Sequence, residues 1–234
     1  MKFLSLNVQA GGGKRWPSII EFVDKHQPDV AVFLEWRQSA VTGLAESWAY
    51  RSGFAWYAIC EGNTRNGVAV AAKPPFRGLS ATPGRESAGT MLHAAFDGWN
   101  LLACYFPQGQ AKARYFDECS ATALNLGASP LLIAGDLNTG NQAADKTLGG
   151  VKYACADRFD ALSASAGLID LWRRTHGLAA REWTWRTSKN GFRIDHAFGN
   201  LAFVQRFDPS CWYDHFPVAS GLSDHSALVI DIGH

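Results

Sequence analysis

Leu131-Leu132-Ile133-Ala134-Gly135-Asp136-Leu137-Asn138-Thr139-Gly140 is the stretch on which the reading of this chain turns. Leu131–Ala134 is a short apolar run after Pro130 and reads as a strand buried on both faces. Gly135 ends the run, and two side chains of different chemistry follow. Asp136 is a carboxylate able to bind a hard metal ion or to activate water. Asn138 is a neutral amide able to donate to an oxyanion. In extended backbone, residues i and i+2 point the same way, so one strand end delivers both groups to one place. By themselves these residues also make an ordinary polar turn, because Asp, Asn and Gly are the usual turn formers. What favours a site is that other strand ends carry similar groups.

Working outward, Lys2–Asn7 alternates polar and apolar residues and reads as a strand closed by Asn7. Pro17 suits the first turn of a helix whose apolar stripe is Trp16, Ile19, Ile20 and Val23. Pro28 blocks its extension beyond about His26. Val30–Leu34 is a second buried strand, ending in Glu35. This strand–helix–strand unit predicts Asn7 and Glu35 at neighbouring, parallel strand ends. Leu44–Tyr50 reads as a weaker helix, and Ala55–Cys60 and Gly67–Ala72 as strands joined through a turn that includes Asn66-Gly67. Met91–Phe96 and Asn100–Tyr105 predict a hairpin across Asp97-Gly98, running out into Phe106-Pro107-Gln108-Gly109. Arg114–Leu126 follows as a helix that leads into the quoted strand.

Beyond that strand, Asp157–Ala166 reads as a helix. Trp183–Arg186 and Arg193–Phe198 read as a hairpin across Asn190-Gly191. Within Arg193-Ile194-Asp195-His196, Arg193 and Asp195 share one face. Ala227–Ile232 is the last strand, preceded by Ser223-Asp224-His225-Ser226. Strands alternating with helices, plus hairpins, predict an α/β or α+β protein with mixed sheets, helices outside and two packed sheets inside.

With 234 residues, 47% of them hydrophobic, the chain can bury one large core. No Pro/Gly/Ser linker, charge block or repeat divides it, so one domain over residues 1–234 is expected. No apolar run approaches the roughly 20 residues of a membrane span. The run after Lys2 is too short for a secretion signal. The five cysteines form no CxxC pair, which fits buried free thiols in a reducing cytoplasm. A net charge of +1 neither demands nor excludes a polyanionic partner.

Collected, the strand-end groups are Asn7, Glu35, Tyr105, Asp136, Asn138, Asp195, Asp224 and His225. Clustered carboxylates repel one another and raise one another's pKa values. A hard divalent cation among them is the economical explanation. Oxygen donors without thiolate favour Mg²⁺, for which Mn²⁺ is able to substitute, over Zn²⁺. A hard ion beside a histidine and two asparagines is equipment for phosphoryl chemistry.

These motifs resemble the endonuclease/exonuclease/phosphatase superfamily, and within it the exonuclease III and apurinic/apyrimidinic (AP) endonuclease type. Met1-Lys2-Phe3-Leu4-Ser5-Leu6-Asn7, Lys25-His26-Gln27-Pro28-Asp29-Val30 and Tyr105-Phe106-Pro107-Gln108-Gly109 are similar to exonuclease III itself. Gly135-Asp136-Leu137-Asn138, Arg193-Ile194-Asp195 and Ser223-Asp224-His225 are the broader signatures. The resemblance implies a four-layer αββα sandwich with the site at one edge of two packed mixed β-sheets. It implies Glu35 as principal metal ligand with Asn7 beside it and Asp224 near. Asp136 would position or deprotonate the attacking water, and Asn138 and Tyr105 would contact the phosphate. His225 would bind or protonate a phosphate oxygen, held by Asp195.

Leu34 and Trp36 depart from the family's residues around the metal glutamate. The segment after Gly109 is short, leaving Lys112 or Arg114 to supply the basic group that meets DNA. The expected activity is Mg²⁺-dependent hydrolysis of the DNA backbone by a monomer, in DNA repair, on duplexes with abasic sites or 3′ ends. The rivals are a non-specific endonuclease, a small-molecule or lipid phosphatase, and a non-catalytic binding protein. A nuclease should rim its site with basic residues, the candidates being Lys14, Arg15, Arg65, Lys112, Arg114, Arg181, Arg186, Lys189 and Arg193. Trp183, Trp185 and Trp212 are expected to pack rather than to wedge into DNA.

Overall fold

Two strand–helix–strand units set the architecture. In the computed structural model, which describes residues 1–38, 43–60, 66–84 and 89–233, the first is β1 (Lys2–Asn7), α1 (Trp16–His26) and β2 (Val30–Trp36). Pro17 lies in the first turn of α1, and Gln27, left-handed at φ 48°, closes it before Pro28. The strands β1 and β2 pair in parallel, with Asn7 opposite Leu34, as the sequence predicts. Next come α2 (Gly43–Arg51), β3 (Ala55–Ile59), β4 (Gly67–Ala72), β5 (Phe76–Ser80) and β6 (Thr90–Phe96). The second unit is β7 (Trp99–Tyr105), α3 (Ala113–Leu126) and β8 (Leu131–Asp136), again a parallel pair.

The remaining elements are α4 (Ala156–Ala166), β9 (Ile169–Asp170), α5 (Leu171–His176), β10 (Trp185–Arg186), β11 (Gly191–Phe192), β12 (Asp195–Gly199), α6 (Leu201–Phe207), β13 (Ser210–Asp214), α7 (Phe216–Ala219) and β14 (Ala227–Asp231). Six strands form one sheet in the order β13-β14-β1-β2-β4-β3. Six form the other, in the order β5-β6-β7-β8-β12-β9.

The period of two along each strand divides the interior into three apolar layers. Phe3, Val32, Leu34, Leu101, Ala103, Leu132, Ala134 and Leu228 fill the space between the sheets. Leu4, Leu6 and Phe33 pack outward on Trp16, Ile19 and Trp48 of α1 and α2. Leu102, Ile133 and Phe198 pack outward on Tyr115, Phe116 and Phe159 of α3 and α4. The result is the expected sandwich of helices, two mixed sheets and helices. Residues that continue the inner rows to the strand ends, Asn7, Tyr105 and Asp136, therefore face one another between the sheets.

The hairpin expected from Trp183–Arg186 and Arg193–Phe198 does not form. Only Trp185–Arg186 pairs, with Gly191–Phe192, while β12 crosses to β8 with Asp195 opposite Asp136. Side chains explain the break. The Ile194 and Asp195 N–H groups both donate to the hydroxyl of Thr184, at 3.1 and 3.2 Å, and Arg193 N–H donates to Asp145 O at 2.7 Å. The edge strand β5, β13 and α6 are further additions to the sequence reading. β5 is half exposed, and its Gly78 lies where a Cβ would stand 2.4 Å from the Tyr57 ring, so it carries no apolar pattern to read.

Arg193 corrects another expectation. It is fully buried and ion-paired, not on a DNA-facing rim. Its Nε donates to Asp145 Oδ1 at 2.7 Å, its two terminal nitrogens donate to Asp170 at 3.2 and 2.5 Å, and its guanidinium lies 4.9 Å from the Trp172 ring. Asp145 also accepts from Arg173, so one charged knot joins the loop after β8 to β9, α5 and the link between β11 and β12. Burial alone would raise the pKa values of Asp145 and Asp170. The Arg193 guanidinium outweighs it and holds both below the ordinary 3.8.

A carboxyl depressed by folding contributes stability above its unfolded pKa and loses it as pH falls through the folded pKa. The unfolding midpoint should therefore hold steady above about pH 5 and fall steeply below about pH 4. Asp145→Asn should cost roughly 3–5 kcal/mol at neutral pH, the usual cost of leaving a buried charge unpaired. Urea unfolding of both proteins across pH checks this; equal stabilities at pH 7 would show that the knot contributes nothing.

Candidate active site

Backbone conformation explains how Glu35 reaches the sheet edge. On β2, Val32 and Leu34 face inward and Phe33 outward, so simple alternation would turn Glu35 toward the helices. The register instead shifts between Leu34 and Trp36, and Glu35 sits at φ 56°. One bulged residue inverts the pattern: Trp36 joins the helix-side layer against Trp16 and Trp56, and Glu35 is left at the strand end. On β8 the equivalent device is Gly135 and Asn138. Gly135 has φ 141°, and a Cβ there would lie 2.0 Å from Cys104 O. Asn138 is left-handed at φ 51°, a conformation that Asn tolerates better than most residues.

Asn7, Glu35, Tyr105, Asp136, Asn138, Asp195, Asp224 and His225 all come together. Asn7 Nδ2 lies 3.3 Å from Glu35 Oε1 and 3.2 Å from Asp136 Oδ2, while its Oδ1 accepts from Gln9 N–H at 2.9 Å. It thus stands beside Glu35 as expected, as an N–H bridge between two carboxylates. Ala10 N–H donates to Glu35 Oε2 at 2.7 Å, and the Tyr105 hydroxyl donates to Oε1 at 3.3 Å. Asp136 Oδ1 accepts from Asn138 N–H at 2.8 Å. Asn138 Nδ2 donates to Phe106 O at 2.8 Å and reaches Asp136 Oδ2 at 3.4 Å. His225 Nδ1 is 2.9 Å from Asp195 Oδ2, which leaves its Nε2 toward Asp136 Oδ2 at 3.9 Å. Asp224 Oδ2 accepts from Trp185 Nε1 at 3.1 Å.

Glu35, Asp136, Asn138, Asp224 and His225 line one cavity of about 480 Å³, while Asn7, Tyr105 and Asp195 stand behind that lining as their hydrogen-bond partners. Glu35, Asp136, Asn138, Asp224, His225 and Lys112 give it polar lining; Val151, Tyr153, Trp185, Phe192 and Ile194 give it more apolar lining. The sequence reading of the basic residues is only partly met. Lys112 is buried, lines the cavity and donates to Asn138 O. Lys152 lines it too, without having been predicted. Arg114 does not line it; it is exposed on α3, 5.9 Å from the Tyr115 ring. Arg15 is engaged with Val8 O, Gln9 O and Leu222 O, and Arg65 lies outside the described residues.

Of the tryptophans, Trp212 packs in the helix-side layer and Trp183 covers Gly191, whereas Trp185 reaches the cavity. Sequence reasoning missed Ser223, whose hydroxyl donates to Asn7 O at 2.5 Å and accepts from His225 N–H at 3.1 Å. Its signal was the Ser two residues before a His, a short hydroxyl turn. It also missed Thr184 and Gln108, the latter donating to Asn138 Oδ1. Thr184, between two tryptophans, has no sequence signal.

The electrostatics are lopsided. Burial alone would lower the pKa of His225, but Asp195 and then Asp136 outweigh it and raise it to about 10. Burial raises Asp136 to about 7, opposed by His225 and reinforced by Asp195 and Glu35. Burial lowers Lys112 to about 8. The cluster is short of positive charge, since a carboxylate this deep is ordinarily compensated. Asp136, Asp195 and His225 have ligand atoms within 4.8 Å of one another. Asp195 and His225, however, satisfy each other. The carboxylates facing the cavity beside them, Glu35 and Asp224, are all-oxygen donors, and no cysteine lines that cavity among the described residues. That donor set fits a hard cation.

The sequence profile of the Endonuclease/Exonuclease/phosphatase family matches residues 4–225, and the chain belongs to that family. No curated protein sequence matches it. Among solved structures it is similar to the 3′-5′ exonuclease NExo from Neisseria meningitidis, with a TM-score of 0.85 and 19% identity over 100% of both chains. It is also similar to an AP endonuclease from Archaeoglobus fulgidus, with a TM-score of 0.80 and 18% identity over 99% of both chains. A third is NExo described as a 3′ phosphatase bound to product DNA hairpin, with a TM-score of 0.83 and 19% identity over 100% of both chains. At such identities these likenesses speak for the fold.

Two buried histidines should differ in charge, one cationic and one neutral. His225 should stay protonated on both nitrogens through pH 8 in the metal-free protein. His196, whose pKa burial and then Arg193 push down to about 4, should be neutral at pH 6, with its hydrogen on Nε2 toward Thr139 O at 2.8 Å. Nitrogen-15 chemical shifts of the two rings read this directly; a neutral His225 at pH 7 would refute the charge assignment.

Proposed function

We propose that the protein is a divalent-metal-dependent phosphodiesterase acting on the DNA backbone, of the exonuclease III type, serving DNA repair as an AP endonuclease or 3′ exonuclease. The observation that carries the reading is one cavity lined by Glu35, Asp136, Asn138, Asp224 and His225, with Asp195 hydrogen-bonded to His225 and Asn7 to Asp136 behind that lining. Membership of a family of hydrolytic enzymes supports it. So do relatives of the same fold described as an exonuclease, an AP endonuclease and a 3′ phosphatase, one of them with DNA bound. A binding protein has no need for every carboxylate.

In this reading Asp136, with its raised pKa, accepts the proton of the attacking water. The water oxygen bonds to phosphorus as the bond from phosphorus to the leaving 3′ oxygen breaks, and that oxygen takes a proton from solvent. His225, aimed by Asp195 so that Nε2–H faces the cavity, donates to a phosphate oxygen. Asn138 turns its second amide hydrogen, now on the long contact to Asp136, toward the same phosphate. Lys112 adds positive charge, and Lys152 meets the strand at the rim. Glu35 and Asp224 would hold Mg²⁺, or Mn²⁺ in its place, which when bound would neutralise charge building on the phosphate oxygens. On abasic DNA the cut would leave a 3′-hydroxyl. The buried free thiols of Cys104, Cys119, Cys155 and Cys211 support a reducing compartment such as the cytoplasm.

Asp136→Asn and His225→Ala should keep the wild-type far-UV circular dichroism yet lose about 10²- to 10⁴-fold in cleavage rate, the usual cost of removing a general acid or base. Near-normal rates would show that these residues only build the edge of the sandwich.

Substrate choice is tested on abasic, nicked, blunt and single-stranded DNA beside a small phosphate monoester, with Mg²⁺ and with excess chelator. Cutting of abasic or 3′-recessed duplex should require the metal. It should also weaken with salt at a slope of about −0.9 in log K per neutralised phosphate, whereas a monoester would barely respond. Turnover of the monoester with no cutting of any DNA would make the protein a phosphatase and overturn the nuclease reading.

A further inference from the structure

Asn66, which the sequence offers only as half of an Asn-Gly turn, is a half-buried residue at the foot of β4. It joins the two sheets. Its carbonyl accepts from the Thr90 hydroxyl of β6 at 2.9 Å. Its side chain lies between Arg37 and Tyr105: Arg37 Nε donates to Asn66 Oδ1 at 2.6 Å, and Asn66 Nδ2 donates to the Tyr105 hydroxyl at 3.0 Å. That hydroxyl in turn donates to Glu35 Oε1 at 3.3 Å.

The direction of this chain is fixed by chemistry. A guanidinium has no acceptor, so the amide must turn its oxygen to Arg37. Its NH₂ is then left facing the phenol. The phenol oxygen accepts that hydrogen, and its own proton has Glu35 as its partner. Glu35 needs such support, because its backbone is bulged at φ 56°, and a long side chain on a strand end otherwise has several rotamers open to it.

We propose that Asn66 is a positioning residue for the metal site. Acting through the Tyr105 hydroxyl and itself oriented by Arg37, it aims the Glu35 carboxylate at the cation. Tyr105 then serves chiefly to hold a metal ligand, and the phosphate contacts fall to Asn138, His225 and Lys112. This inference rests on Glu35 being a metal ligand, as the proposed function has it. Outer partners that orient a ligand commonly change metal affinity about 10- to 100-fold when removed.

The test is a Mn²⁺ titration of the whole chain, with free Mn²⁺ read by electron paramagnetic resonance and no substrate present. Asn66→Ala and Tyr105→Phe should each weaken Mn²⁺ binding about tenfold. The double variant should bind no worse than the weaker single one, because the two residues act through one hydrogen-bonded chain. Far-UV circular dichroism and the metal-free unfolding midpoint confirm that the variants are folded. Asn66→Ser, a small polar residue suited to a turn, replaces Asn66→Ala if the latter does not fold and should lose affinity equally. Wild-type affinity in the Asn66 variants, or independent losses that add in the double variant, would overturn the positioning role while leaving Glu35 a ligand. A wild-type chain that takes up no Mn²⁺ would overturn the metal site itself, and with it this inference.

Discussion

The dependence of everything else is on a charge imbalance kept out of water. Glu35, Asp136, Asp195 and Asp224 converge where the two sheets part, and Asp136 and Asp195 are almost wholly buried. Removing a carboxylate from solvent is costly unless hydrogen bonds or opposite charge replace the water. The protein supplies part of that replacement itself: backbone N–H groups at Glu35 and Asp136, the Asn7 amide between them, and a cationic His225 against Asp195. It does not supply all of it, and the raised pKa of Asp136 is the measure of what is left. A site built this way is pre-organised to take up positive charge.

Holding such a cluster requires backbone that regular strands do not offer. The bulge at Glu35 and the left-handed turn at Asn138 both occur where a β-strand gives way to a functional loop, and each costs of order 1–3 kcal/mol. The surrounding structure over-determines them. Trp36 is locked among Trp16 and Trp56, so the bulge cannot relax without expelling a tryptophan from the core. Asn138 is held by Phe106, Gln108, Lys112 and Asp136 together. The mirrored placement of two parallel strand pairs, β1–β2 and β7–β8, brings these two irregular ends face to face.

The strand ends were legible: apolar runs place Asn7, Glu35 and Asp136 at them, and the family resemblance supplied their roles. Which face each side chain takes was not, because Leu131–Ala134 is apolar throughout and Phe3, Leu4 and Leu6 leave the inner row of β1 open. Glu35 was correctly located at a strand end, but alternation would have put it on the wrong face. Only the bulge, which leaves no mark on composition, corrects it. Arg193 was misread for a different reason. A basic residue beside a catalytic motif looks like a phosphate contact. Its partners Asp145 and Asp170 lie 48 and 23 positions away and carry no signal that they are buried. Asn66 escaped notice because a turn Asn before Gly is ordinary, and its partners Arg37 and Tyr105 meet it only in three dimensions.

The lining of the cavity has two sources. Glu35, Asp136, Asn138, Asp224 and His225 stand at strand ends or in the turns beside them, whereas Val151, Lys152 and Tyr153 come from the loop after β8. That loop is not floppy: Tyr153 OH donates to Asp145 O at 2.7 Å, Lys146 Nζ donates to Gly150 O at 2.8 Å, and Asp145 is pinned by Arg193. The charged knot is one of its anchors; Thr139, beside Asn138, is another, its hydroxyl donating to Ala154 O at 2.8 Å. Binding functions are commonly carried by loops that a rigid scaffold positions. In this chain the buried carboxylates sit on the scaffold, and the braced loop brings exposed Val151 and Lys152 to the same cavity.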